Sequence, residues 1–209
     1  MIGLLIIGGK GPRPELVNEY RQRAGMVAAA DSGLETALAL GFTPDLVVGD
    51  MDSLIDVSLL DRFKDRVRRF PVDKDETDTE IGLRLLQERG CADVVIAGGG
   101  GGRLDHLLGI ALLFERARPP VRWITDRDDI RLIEGETVLE GMEGATISLF
   151  PLGDGAGMLG SDGLKWKLDG LEFKRGYAGI SNVATRDKVR IRVGKGRLLM
   201  VRSLSGEVA

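Results

Sequence analysis

Residues 45–54 read DLVVGDMDSL. The run Leu46-Val47-Val48 is apolar at every position, too short for a helix and right for a strand buried on both faces. It ends in Gly49 and then delivers Asp50 and Asp52, one residue apart. In an extended chain, residues i and i+2 share a face roughly 7 Å apart, so these like charges repel unless a cation stands between them. Much of the chain repeats this unit of a buried strand that ends on acids.

Comparable apolar runs occur at 3–7, 26–30, 67–70, 94–97 and 121–125, with helical spacing between them at 14–24, 34–40, 57–64, 77–89 and 104–116. Pro14 suits a first helical turn, and Gly25, Gly41 and Gly90 suit helix exits. Strands alternating with helices predict a parallel sheet covered on both faces. After residue 126 the texture changes to short alternating segments at 130–133, 137–139, 145–150, 188–193 and 198–201, punctuated by glycine-rich turns. Two domains are expected: an α/β domain over 1–126 and an all-β domain, a sandwich or barrel, over 127–209. The stretch 151–160 holds four glycines and is expected to be a loop.

Composition narrows the function. Hydrophobic content of 43% and charged content of 29% are ordinary for a globular protein with a real core. A net charge of −3 gives no electrostatic footprint for nucleic acid. No apolar run approaches the ~20 residues that span a bilayer. The N-terminal stretch MIGLLIIGGKG lacks the basic start of a leader and is expected to form the first strand. One cysteine, Cys91, excludes an internal disulfide and fits a reducing compartment, so a cytoplasmic location is expected. With one histidine, His106, beside that one cysteine, a zinc site of the usual nitrogen and sulfur ligands is nearly excluded. A metal here would be a hard one held by oxygen, with Mg²⁺ leading.

The acids fall where such a metal would be used. Asp31 follows the run 26–30; Asp73, Asp75, Glu76 and Asp78 follow 67–70; Asp105 lies beyond 94–97. Ligands of open parallel sheets bind outside the carboxyl ends of the strands. A local explanation also exists, because aspartate is common in turns and helix caps, and DKDETDTE (73–80) reads as an acid-rich helix start capped by Thr77 or Asp78. Acids at four successive strand ends favour the metal. Two glycine loops, Gly8-Gly9-Lys10-Gly11 and 98–102, could bring backbone N–H groups close to phosphate. Neither matches a P-loop, and GxGxxG is absent. The second loop continues as GGRLDH, which places Arg103, Asp105 and His106 at one strand-to-helix corner; His106 is at most a helper.

In this order the motifs resemble the thiamine pyrophosphokinase family: ADSG at 30–33, PDLVVGDMDS at 44–53, DKDETD at 73–78, GGRLDH at 101–106, GLKWKL at 163–168 and Ser181-Asn182. The resemblance implies a Rossmann-like parallel-sheet N-terminal domain, a smaller C-terminal all-β sandwich and a homodimer with sites between subunits. It implies Mg²⁺-dependent transfer of the diphosphoryl group from ATP to the hydroxyl of thiamine, through attack on the β-phosphorus, giving thiamine diphosphate and AMP. By motif match, Asp50, Asp52 and Asp78 are the catalytic metal ligands, with Asp31 close by. Gly8, Gly9, Asp75, Arg103 and Asp105 serve the nucleotide phosphates. Trp166 stacks on the pyrimidine of thiamine, while Ser181 and Asn182 hydrogen-bond its edge. The bland alternative for Trp166 is a packing residue on a β-strand. Rival functions are a diphosphokinase for another hydroxymethyl heterocycle of pterin type, and a non-catalytic thiamine or nucleotide sensor.

Overall fold

Leu4, Leu5 and Ile6 are wholly buried in β1 (Ile2–Ile7), the central strand of the first part of the chain. The computed structural model describes residues 1–204 and divides the chain into two compact units, Met1–Asp126 and the segment from Arg127 onward. In the first unit, β1 is joined by β2 (Ala24–Ala30), β3 (Leu46–Gly49), β4 (Val67–Arg69), β5 (Asp93–Ala97) and β6 (Arg122–Ile124). Their order is β6-β5-β1-β2-β3-β4, and every neighbouring pair is parallel.

Alternation along β1 explains why its residues are all apolar. Leu4 and Ile6 pack in one core with Leu34 and Ala37 of α2 (Gly33–Ala39). Leu5 points the other way, toward α4 (Asp78–Glu88), so closely that a Cβ on Gly82 would stand 2.6 Å from Leu5 Cδ1. Helices therefore cover both faces. The start of α4 is fixed by a capping box: Thr77 Oγ1 accepts from Glu80 N at 3.2 Å and Glu80 Oε2 accepts from Thr77 N at 2.7 Å.

Two expected helices are shorter in the structure. The 14–24 stretch becomes a 3-10 turn at Pro14–Leu16 and the single turn α1 (Tyr20–Arg23). Only Val17 and Tyr20 of that stretch are buried, too little apolar face to sustain a longer helix. The 57–64 stretch narrows to α3 (Leu59–Arg62), anchored by Leu60 with Phe63 just beyond. The helix expected at 104–116 is α5 (Leu104–Leu112), prolonged by a 3-10 turn.

The second unit is antiparallel, and no helix occurs between residues 127 and 204. Its strands are β7 (Asp128–Leu139), β8 (Thr146–Asp162), β9 (Phe173–Lys174), β10 (Gly179–Val183) and β11 (Val189–Ser203), in the order β10-β8-β11-β7 with β9 also on β8. The loop expected at 151–160 is not one: these residues lie inside β8 and pair with β11, Leu152 opposite Arg197 and Gly157 opposite Lys195. The glycines bend the strand rather than end it. Gly155 adopts φ +132°, and a Cβ there would lie 2.5 Å from Phe173 O, so only glycine lets β9 approach. Ile147 and Leu149 from one end of β8 and Ala156 and Leu159 from the other enter one core with Ile191, Val193, Leu198 and Met200. The fold is mixed α/β. Among the described residues, no helix is long and apolar enough to cross a membrane.

Candidate active site

The parallel register brings the strand ends level: Ile7 sits beside Ala30, Ala30 beside Val48, Gly49 beside Arg69, and Ile6 beside Ala97. Each residue that follows these ends is delivered to the same edge. Asp31 and Met51 turn the chain there in the left-handed region, at φ 51° and 68°. That conformation costs a side-chain-bearing residue about 1 kcal/mol or more. Gly49, between β3 and Asp50, takes φ +140°, and a Cβ on it would stand 3.2 Å from Asp78 Oδ1 and 3.3 Å from Asp31 Cβ.

Asp31, Asp50 and Asp78 converge. Each offers a carboxylate oxygen, and these oxygens lie within 4.8 Å of one another. Asp31 Oδ1 is buried and accepts no hydrogen bond, and the Ser53 hydroxyl donates to Asp31 Oδ2; Asp78 Oδ1, also buried, has only an ion pair, with Lys74. Lys74 stands between two of these acids: its Nζ lies 3.1 Å from Asp50 Oδ2 and 3.4 Å from Asp78 Oδ1. Burial pushes Asp50 upward, but the Asp52 backbone N–H and the Lys74 ammonium outweigh it and hold the carboxyl below its usual range. For Asp78 burial wins, helped by the Asp50 and Asp31 charges, and the carboxyl sits above that range despite Lys74.

Asp52, expected among the metal ligands, stands outside this group of three. Its side chain is exposed, while its backbone N–H donates to Asp50 Oδ1 at 3.2 Å. The adjacent Asp50 carboxylate pushes its pKa up. Asp75 is exposed. Arg103 and Asp105 form an exposed ion pair, Nη2 to Oδ2 2.6 Å, at the start of α5, and His106 beside them is exposed too. In the glycine loops, much of the backbone expected to face phosphate is used internally. Gly99 N donates to Gly8 O at 2.7 Å, Lys10 N to Gly100 O at 2.7 Å, and Gly100 N to Lys10 O at 3.0 Å. The two loops thus brace each other, with Gly9 exposed beside the junction.

Lys74, Ser53 and Glu35 are functional-edge residues that the sequence reading missed. Glu35 Oε1 accepts from the N–H groups of Ile55 and Asp56, both at 2.9 Å, and so pins the loop after Asp52. Only Lys74 carried a signal, as the one base inside DKDETD.

In the second unit, Trp166 lies in the bend after β8 rather than on a strand, and it is 54% exposed. Lys165 Nζ stands 4.6 Å from its ring centroid. Asn182 differs from its expected role. It is buried, and its side chain serves the backbone: Oδ1 accepts from Trp166 N at 3.1 Å and from Val183 N at 2.9 Å, while Nδ2 donates to Trp166 O at 2.7 Å. Ser181 is exposed, at φ 60°. A cavity of about 200 Å³ opens here, lined by Trp166, Leu168, Phe173, Tyr177, Ile180 and Asn182.

Carboxylates gathered at the carboxyl edge of a parallel sheet, beside paired glycine loops, define an enzyme of phosphotransfer type. Residues 17–122 match the family model for the thiamin pyrophosphokinase catalytic domain, and residues 131–198 match that for the thiamin pyrophosphokinase vitamin B1 binding domain. The chain belongs to the thiamin pyrophosphokinase family. It is 28% identical to thiamine pyrophosphokinase of Bacillus subtilis over 97% of this chain and 98% of that protein. The crystal structure of the Bacillus subtilis enzyme superposes with a TM-score of 0.79 at 26% identity, covering 97% of this chain and 99% of that one. That of thiamin pyrophosphokinase from Geobacillus thermodenitrificans gives 0.80 at 27% identity, covering 100% of both chains.

Proposed function

We propose that this chain transfers the diphosphoryl group of ATP to the hydroxyl of thiamine, giving thiamine diphosphate and AMP. The observation that carries the reading is the convergence of Asp31, Asp50 and Asp78, with Asp31 Oδ1 buried and without a hydrogen bond and Asp78 Oδ1 met only by the Lys74 ammonium at 3.4 Å. A buried carboxylate oxygen is costly to leave unpaired. An all-oxygen, net-negative set fits Mg²⁺, which Asp31, Asp50 and Asp78 would hold, with Asp52 reaching in from the adjacent turn. Bound there, Mg²⁺ would neutralise phosphate charge and orient the triphosphate.

The remaining work belongs to the chain's own groups. Gly8, Gly9, Asp75, Arg103 and Asp105 line the nucleotide side, and Arg103 leaves Asp105 to pair with phosphate. The thiamine hydroxyl forms a bond to the β-phosphorus as the bridge to the α-phosphate breaks, and its proton passes to a carboxylate of the same edge. The exposed Trp166 indole offers a flat face to the aromatic cation. Ser181 hydrogen-bonds the pyrimidine edge, and Asn182 acts by holding Trp166.

Residues 1–126 are accordingly the catalytic nucleotide- and Mg²⁺-binding domain, of Rossmann-like type, and 127–209 the thiamine-binding domain. A sandwich reading of the latter is supported by both ends of β8 feeding one core. A homodimer with sites completed between copies is supported by the exposed apolar side chains of Trp166, Leu171, Tyr177 and Ile180. A cytoplasmic location is supported by the free, buried Cys91.

A product assay tests the reading. Protein, ATP, Mg²⁺ and thiamine should yield AMP and thiamine diphosphate in equal amounts, with none after chelation. ADP with thiamine monophosphate would overturn the group transferred. A product formed only when thiamine is replaced by a hydroxymethylpterin would overturn the acceptor.

A further inference from the structure

Lys74 is unusual among the lysines of this chain. Its side chain is only 14% exposed, and it points not to solvent but between two carboxylates, Asp50 at 12% and Asp78 at 21% exposure. It leaves from the loop just before α4, whose capping box at Thr77 and Glu80 fixes the direction of the chain. Asp50 comes from the end of β3, so one ammonium joins two elements far apart in sequence. Lysine loses about 2 kcal/mol of rotamer entropy when held in one geometry, which a loose surface contact does not recover. The partial burial of all three groups and the second carboxylate make this pair more than a surface one.

One positive charge does not satisfy three carboxylates. Asp31 Oδ1 remains without a hydrogen bond, and Asp31 has no ion pair with Lys74 among those seen in the described residues. The ammonium holds Asp50 and Asp78 together but leaves the third acid uncompensated. A divalent cation would satisfy all three, and in doing so would claim the same two carboxylates that Lys74 now bridges. Two cations on one pair of carboxylates repel strongly at such range.

We propose that Lys74 is a resident counter-cation of the carboxylate group, holding Asp50 and Asp78 in place until a divalent metal displaces it. The inference rests on the metal-binding reading above and deepens it, because it assigns that site a built-in competitor. The competitor weakens binding of metal alone. Metal arriving with nucleotide brings phosphate oxygens, and the displaced ammonium has a new anion on the same edge. Metal and nucleotide then bind with positive coupling.

The experiment uses the full chain and Mn²⁺ as a probe of a hard oxygen site, counted by electron paramagnetic resonance, in wild type, Lys74→Met and Asp78→Asn. Wild type is expected to bind Mn²⁺ weakly, Lys74→Met about tenfold or more tightly, and Asp78→Asn hardly at all. Adding ATP should tighten Mn²⁺ binding by a larger factor in wild type than in Lys74→Met. A lysine that served only as a structural tether would loosen metal binding when removed. Equal or weaker binding by Lys74→Met therefore overturns the proposal. Should wild type bind no Mn²⁺, or Asp78→Asn bind it as wild type does, the metal site itself is misplaced and the proposal falls with it. A wild-type measurement stands in where Lys74→Met does not fold. Acylation of Lys74 by an amine reagent, read by mass spectrometry, should rise severalfold when Mg²⁺ alone is added, with the exposed Lys64 and Lys195 as constant references. No rise at Lys74 overturns the displacement.

Discussion

Asn182 and Trp166 are tied by a reciprocal pair of hydrogen bonds, Trp166 N to Asn182 Oδ1 at 3.1 Å and Asn182 Nδ2 to Trp166 O at 2.7 Å. The pair continues a short antiparallel seam in which Lys165 N donates to Val183 O and Thr185 N to Gly163 O. An exposed loop is thereby held as firmly as a strand edge, and its indole is presented in a fixed place. A buried amide at one position sets the orientation of an exposed aromatic ring at another.

Asn182→Ala removes that hold. It leaves the N–H groups of Trp166 and Val183 without their acceptor, at about 1–3 kcal/mol. The expected result is a drop of that size in urea stability and a rise of about tenfold in KM for thiamine, with KM for ATP little changed. Iodide quenching supplies an independent readout. Trp123 is 5% exposed and Trp166 54%, so quenching reports on Trp166 and should rise in the variant. An unchanged KM for thiamine would remove Asn182 from the thiamine side.

Asp50→Asn and Asp78→Asn each delete a charge from the group of three. Turnover should fall by at least about a hundredfold in both, since stabilisation of developing phosphate charge is worth several kcal/mol. Circular dichroism should show the fold intact. Asp52→Asn is expected to cost less, because Asp52 is exposed and outside the three-oxygen group. A loss at Asp52 equal to that at Asp50 would move Asp52 into direct metal contact.

The legible and the illegible parts of this chain differ by physical cause. The run at Leu46–Gly49 announced a strand because parallel strands are buried on both faces and read as continuous apolar stretches. The acids at successive strand ends were legible for the same reason, since parallel strands share one carboxyl edge. Lys74 was not. Its part depends on a carboxylate 24 residues earlier, and nothing local distinguishes it from a solvated lysine. The 151–160 stretch misled because glycine marks turns and bulges alike; only the pairing of β8 with β11 separates them. Asn182 looked like a ligand donor because its burial and its use by Trp166 are set by a loop 16 residues away.

Gly49→Ala tests how tightly the edge is built. The substitution forces a side-chain-bearing residue to φ +140° and sets its Cβ 3.2 Å from Asp78 Oδ1. About 1–3 kcal/mol of stability should be lost to backbone strain. At a temperature where the variant stays folded, turnover should still fall, because Asp78 must shift. Thermal melts and initial rates check the two parts separately; wild-type rates in the folded variant would show that the edge tolerates such a shift.

Asp78→Asn should also reveal what the acid group costs the metal-free fold. Burial raises the folded pKa of Asp78 above its ordinary value of 3.8, so the native state holds the proton more readily than the unfolded chain does. The contribution of Asp78 to wild-type stability then falls as pH rises from about 3.8 through the raised folded value. Asparagine stays neutral throughout. In a chelator at neutral pH the variant should melt above wild type, and the gap should close as pH is lowered past that window. Adding Mg²⁺ should close it from the other side by raising wild type alone. A variant that melts lower than wild type at neutral pH would mean that the Lys74 ion pair outweighs the burial of Asp78.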